Sequence, residues 1–414
     1  MTNNLPAVPT RTARNLPVVV PDNGPSLIRV LEQQKAQTLD LVVPRTGLRL
    51  SEGRLVVHST APQLHDDGVY DVNGSYGLTE NAHNQLAAMF DIPLRYYRRM
   101  RDENLPLLDT SVGSWADLIG AKGVLLRLLW GSDPGDDGTN GICRAVLSDR
   151  YGARDNLPTV LATLAGMREA GLSADHIVGC DVSDDKLYLH VVAPEIAVAA
   201  PALLANYTPG GKRDMTVWDH SGGKDEHVAL APEHVVQAGL VVTNSETGNG
   251  ALKVTPRFRV LRCMNGLQIT KDAMSRVHLG GKLDEGAVVW SDDTRRKADE
   301  LVRAQVKDAV TAFLNPQYLE GVVRRLEEEA GMELSNPQET IEQVASKLGY
   351  SDHEKSSILA AFVKGGQCTA GGVMQAVTYY AQAIENVDRA HDFEATGIDA
   401  MQLARKLEPA IAAH

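Results

Sequence analysis

Apolar residues recur along this chain with two periods. Leu27, Val30 and Leu31 are spaced as one face of a helix, with Gln34 continuing it, and short strand-like runs follow in 47–58. Residues 67–77 are rich in Gly, Asn and Asp, as tight turns require. The segment GLTENAHNQLAAMFDIPLRYYRRMRDE carries the strongest helical signal: Thr79 is placed as an N-cap, and Ala82, Leu86, Met89 and Phe90 repeat at helical intervals. Pro93 stands where a second helix begins, with Leu94, Tyr97 and Met100 on one face and Arg95, Arg98, Arg99 and Arg101 on the rest.

Further on, 123–129 reads as a buried strand, the Gly- and Asp-rich 131–141 as its loop, 142–147 as the return strand and 151–171 as a helix. Alternation at 186–192, 239–244 and 251–269 predicts more strands, the last two joined by the turn NSETGNG. After Asp292 the period becomes helical, over 294–314, 317–330, 337–348, 352–364 and 372–390. The fold class expected is α+β: a mixed or antiparallel sheet of β-hairpins with packed helices over 26–290, then an all-helical C-terminal module over 291–414. Residues 1–25, with Pro6, Pro9, Pro17 and Pro21 and no periodicity, read as a flexible arm.

A composition of 43 % hydrophobic and 23 % charged residues over 414 is enough for a real core, and at 5 % aromatic that core is mainly aliphatic. The balance of 41 basic to 53 acidic residues, a net charge of -12, excludes a globally basic nucleic-acid coat, and the 13 basic and 20 acidic residues of 291–414 make that part acidic. Cys143, Cys180, Cys263 and Cys368 form no CxxC pair, so neither a zinc ribbon nor a disulfide framework is signalled and a reducing compartment fits. Prolines and polar residues occupy the N-terminus where a secretory signal needs an apolar stretch, and the apolar region 191–207 is broken by Pro194, Glu195 and Pro201. A cytoplasmic protein with no membrane partner is expected.

Candidate chemistry is sparse. PGGKRD, SGGKDE and LGGKLD lack the earlier glycine and following Ser or Thr of a phosphate loop, and no GxGxxG follows a strand. His220, His227 and His234 recur every seven residues, not at the i, i+4 spacing of helical metal sites, and Cys263 has no neighbouring His to activate it. No catalytic residue, metal or cofactor is assigned. What stands out is a local reversal of charge: residues 244–282 hold seven basic residues against Glu246 and Asp272. Arg257 and Arg259 are two apart on a strand and so point to one face. Such a face, with the basic RYYRRMR helix, suits a phosphate track with Tyr96 or Tyr97 for stacking; equally, the arginines pair with the protein's own acids.

Four segments in order, LTENAHNQLAAMFDIPLRYYRRM (78–100), RAVLSDRYGARDN (144–156), VVTNSETGNGALKV (241–254) and FRVLRCMNGLQI (258–269), resemble the phage/plasmid-like protein family, a domain of unknown function found in bacteriophages, plasmids and bacterial genomes carrying them. The resemblance covers roughly residues 26–390, and RAVLSDRY and RCMNGL are its most specific parts. The family's strand-rich core is distantly similar to single-strand annealing proteins of the RecT, Redβ and Rad-fifty-two kind. The resemblance thus implies an ATP-independent protein that binds and anneals single-stranded DNA in a bacterial cytoplasm. It implies a homo-oligomeric ring or filament, and phage or host recombination proteins as candidate partners. The expected nucleic-acid contacts are Arg95, Tyr96, Tyr97, Arg98, Arg99, Arg101, Arg144, Arg150, Lys253, Arg257, Arg259, Arg262, Lys271 and Arg276. Two other classes stay open: a non-catalytic phage structural, interaction or host-defence regulator protein, and a metal-dependent nuclease using acids such as Asp136 and Asp137. Arg144, Asp149, Arg150 and Tyr151 fit either a groove or an Arg–Asp network at a strand-to-helix corner. Asn244, Ser245 and Glu246 fit either a ligand site or a hydrogen-bonded turn, and Asn265 and Gly266 a turn or bulge.

Overall fold

The strand signals sort into two main sheets in a computed structural model that describes residues 25–58, 60, 63–65, 68–120, 122–130, 141–152, 154–203, 205, 207, 235–260, 266–276, 286–287 and 291–412. The first sheet runs in the order Gly286–Ala287, Thr38–Pro44, Gly123–Trp130, Gly141–Ser148, Gly74–Leu78, Arg54–Val57, Arg49–Ser51. Its pairings are antiparallel except the parallel one between Gly74–Leu78 and Gly141–Ser148. The second sheet is antiparallel throughout: Gly266–Gln268, Leu252–Val260, Val235–Asn244, Leu187–Ala199, Ile177–Val182, with Met274–Arg276 also on Leu252–Val260. Helices follow from Asp292 to Ile411, so the fold is α+β with an all-helical C-terminal region. The arm expected at 1–25 lies outside the described residues up to residue 24, as do the loop at 131–140 and the three histidines His220, His227 and His234.

The run of buried residues from Val124 to Leu129 reads as continuous, not alternating, because both faces of that strand are covered. Val124, Leu126 and Leu128 pack with Tyr76, Leu86, Phe90 and Tyr97 on one side, while Leu125 meets Val42, Ala145 and Leu147 on the other. The helices Glu80–Met89 and Leu94–Glu103 lie where the periodicity places them. The Thr79 hydroxyl caps the first, accepting the Ala82 N–H at 3.2 Å and donating to the Arg144 carbonyl at 2.9 Å. A further helix, Leu105–Ile119, escapes the pattern because its apolar residues fall all round it, Leu107, Trp115 and Leu118 being exposed.

A second continuous core joins the helices Pro25–Gln37 and Asn156–Glu169, the apolar face of the second sheet and the C-terminal helices. The boundary expected near residue 290 marks the change from strands to helices, but the core crosses it: Val302, Val306 and Phe313 pack in the same cluster as Leu189, Val236 and Phe258. The helix expected over 372–390 is two, Ala370–Ala381 and Val387–Ile411, the second capped by the Asn386 side chain. Among the described residues no helix is long and apolar enough to cross a membrane.

Candidate functional site

The segments 144–156 and 241–254 meet where the second sheet's turn reaches the first sheet. The NSET turn that ends the strand Val235–Asn244 inserts against the first sheet, and Asn244, Ser245, Glu246 and Thr247 are all buried. Glu246 is the hub. Its Oε2 accepts from Arg144 Nη1 at 2.5 Å and from Gln34 Nε2 at 3.2 Å, and its Oε1 accepts the Asn156 N–H at 2.5 Å. Arg127, also buried, donates to the Glu246 carbonyl at 3.2 Å, bonds Asp155 and lies 3.5 Å from Asp40. Burial works against the Arg127 charge, but Asp40, Asp155 and Glu246 outweigh it and raise its pKa. Asp40 is the odd acid among three carboxylates and two guanidiniums: burial first, then Asp155 and Glu246, push it up to about 6 against the pull of Arg127. The Ser245 hydroxyl accepts from the N–H groups of Thr247 and Asn249 and donates to the Asp185 carbonyl, so the turn reading of Asn244–Glu246 applies. The Arg–acid network at the corner also exists, but its acids are Glu246, Asp155 and Asp40, not Asp149. Guanidiniums paired with carboxylates in such a place fasten the NSET turn to the first sheet, although the Nε atoms of both Arg127 and Arg144 are buried without a hydrogen-bond partner among the described residues.

A second cluster occupies the polar face of the second sheet. Alternation along Leu252–Val260 sends Leu252, Val254, Phe258 and Val260 to the core and leaves Lys253, Thr255, Arg257 and Arg259 on the opposite face. The ladder carries that face sideways through Thr243 and Val241 to Tyr188 and His190, and then to Asp181 and Gly179. The N-terminal half of helix Val387–Ile411 closes on it. Arg257 makes a two-pronged pair with Glu394, at 3.0 and 2.8 Å. Gly266, at the start of its strand, is the floor under this guanidinium, which a Cβ there would meet at 2.3 Å. Asp181 Oδ2 accepts from His190 Nε2 at 3.1 Å and His391 Nε2 at 3.2 Å, and ligand atoms of the three residues lie within 4.8 Å of one another. Tyr188 stacks on His391 with centroids 3.7 Å apart and donates to Asp388 at 2.8 Å. Burial, then Arg257, lower the His190 pKa to about 4, so its ring is neutral at physiological pH. Burial opposes the charge on Asp181, but the two imidazole N–H groups more than offset it and hold the carboxyl well below its usual range.

The structure divides the fourteen expected nucleic-acid residues. Tyr97 is buried, its hydroxyl 3.0 Å from His83 Nδ1; Arg144 and Arg257 are committed to the pairs above; Arg101, 15 % exposed, is held between Glu80 and Asp102. Tyr97, Arg144 and Arg257 are thus anchored inward, whereas Arg101 is held by two acids at the surface. Arg95, Tyr96, Arg98, Arg99, Arg150, Lys253 and Lys271 are exposed, Lys271 donating to Gln402. Arg259 is half-buried beside Arg257, whose charge adds to burial in lowering its pKa. Arg262, like Cys263 and Asn265, and the side chain of Arg276 lie outside the description. The Asp181, His190 and His391 group was not singled out from the sequence: the first two are brought together by strand pairing and the third comes from 210 residues away from Asp181. Comparison with known protein families, with characterised proteins and with solved structures finds no match to this chain.

Proposed function

We propose that the protein binds single-stranded DNA without nucleotide hydrolysis, as a phage- or plasmid-type annealing protein, and that helix Leu94–Glu103 is its phosphate-contacting element. The observation that carries this reading is the way the helix is set. Tyr97 and Met100 bury against the first sheet, which turns Arg95, Arg98, Arg99 and the half-exposed Tyr96 outward. Arg98 and Arg99 pair with Glu80 and Glu103, but these are exposed ion pairs, 46 %/41 % and 71 %/63 % open, worth about 0–1 kcal/mol, and a phosphate exchanges readily for such a carboxylate. Tyr96, 50 % exposed, and Trp115 on the next helix, 45 % exposed, supply aromatic faces of the kind that stack on unpaired bases.

The test is a gel shift and a strand-annealing assay across salt concentrations. Arg95→Ala/Arg98→Ala/Arg99→Ala is expected to remain folded and to bind more weakly, with a salt slope shallower by about 2, since each single-strand phosphate contact contributes about 0.7. The matched change of Lys347, Lys355 and Lys364 in the helical region is the control and leaves binding nearly intact. Equal losses from both sets would show that only overall charge is sensed, and the proposal would fall.

A further inference from the structure

We propose that Asp181, His190 and His391 form a binding site for one divalent transition-metal ion of the zinc class, held by the Asp181 carboxylate and by Nε2 of both imidazoles. This does not depend on the DNA-binding reading. Ligand bonds of about 2.0–2.2 Å place neighbouring donor atoms about 2.9 Å apart in octahedral and about 3.3 Å apart in tetrahedral coordination. The observed separations from Asp181 Oδ2, 3.1 and 3.2 Å, fall between these, and the donor atoms of all three residues lie within 4.8 Å of one another, close enough to converge on one ion. Two imidazoles and one carboxylate are a donor set that catalytic zinc sites and facial-triad iron sites both use, three protein ligands with positions left for solvent.

Three features beyond the distances support an ion here. The donors stand on two paired strands and a packed helix, and Tyr188 stacked on His391 fixes that ring, so the constellation is held by rigid elements. Carboxylates outnumber cations around the donors: Asp185, Asp388 and Asp392 act on Tyr188 and Asp181 on His190, while Arg257, the charge that opposes a cation at His190, is paired with Glu394. Access comes through Asp181, whose side chain is 32 % exposed while those of His190 and His391 are 11 % and 9 % exposed. Both Nε2 atoms donate to Asp181 without an ion, so binding through them exchanges those two hydrogen bonds for metal bonds and moves the ring proton to Nδ1; both Nδ1 atoms are buried without a partner among the described residues.

The 414-residue chain, stripped with chelator, is titrated with Co2+ as a spectroscopic probe and then with Zn2+. The expected result is one Co2+ per chain with the visible absorption of a nitrogen- and oxygen-ligated ion, displaced by Zn2+, and a melting temperature raised by Zn2+. Asp181→Asn and His391→Gln should each weaken binding at least about tenfold, the usual scale for losing a ligand or its close support, whereas the exposed His353→Gln leaves it unchanged. Absence of stoichiometric binding, or equal affinity in these two variants and wild type, would overturn the proposal. Should both variants fail to fold, nitrogen-15 spectra of the wild-type histidines decide it: Zn2+ must shift Nε2 of two histidines, and an unchanged spectrum counts against the site.

Discussion

At the scale of single residues, charge and burial decide what each titratable group does. Arg144 and Arg150 stand six residues apart in one segment, yet the first is 2 % exposed and bound to Glu246 while the second faces solvent. The segment shows that charges are present; the partner of Arg144 lies 102 residues away, and only folding pairs them. Asp40 gives a pH test of the same network. Its ordinary pKa of 3.8 rises to about 6 in the fold. A carboxyl raised in this way binds its proton more tightly when folded, so its contribution is most favourable below 3.8, is lost as pH rises through about 6, and stays lost above. One pKa unit corresponds to about 1.36 kcal/mol, so about 3 kcal/mol is at stake across that window. Asp40→Asn should therefore be as stable as wild type or more so at pH 7.5, and this relative gain should shrink towards pH 4.5, where wild-type Asp40 is itself protonated. Urea melts at the two pH values check it; a difference independent of pH would show that Asp40 is not the strained acid.

At the scale of elements, periodicity accounts for what formed and close packing for how the elements cross. Helices Asn156–Glu169 and Asp292–Phe313 approach at Gly166, where a Cβ would lie 2.5 Å from the Arg303 carbonyl oxygen and 3.0 Å from the Val306 Cβ. In an isolated helix Gly→Ala gains about 1 kcal/mol. Here the backbone on the other side cannot move aside as a flexible side chain would, so Gly166→Ala is expected to lower stability by about 1–3 kcal/mol despite its helix propensity. A thermal melt that rises would mean the helices separate easily. The helix Leu105–Ile119 shows the limit of the pattern: exposed Leu107, Trp115 and Leu118 blur the stripe that Leu108, Val112 and Ala116 make inward. The split between Ala370–Ala381 and Val387–Ile411 was hidden for a similar reason, since its break depends on a cap at Asn386 and not on a proline or glycine.

At the scale of the whole molecule, one core spans the second sheet and the helices after it, so the change of composition near residue 291 coincides with a change of element type and not with a break in the packing. A fragment of residues 291–414 is expected to be helical by far-ultraviolet circular dichroism but to lack a cooperative melt, because Val302, Val306 and Phe313 lose the sheet residues they pack with. A sharp transition in that fragment would establish an independent module. The sequence alone determined the α+β class, the hairpin around NSETGNG, the capped helix after Thr79 and the basic outer face of Leu94–Glu103, since each depends on residues near one another in the chain and on a local period. Only the tertiary structure decided which arginines are committed, through Glu246 and Glu394, and that Asp181, His190 and His391 share one point. Those outcomes depend on strand register, which sets His190 beside Asp181 across a hairpin, and on packing between residues 102 to 210 positions apart, neither of which leaves a periodic trace in the chain.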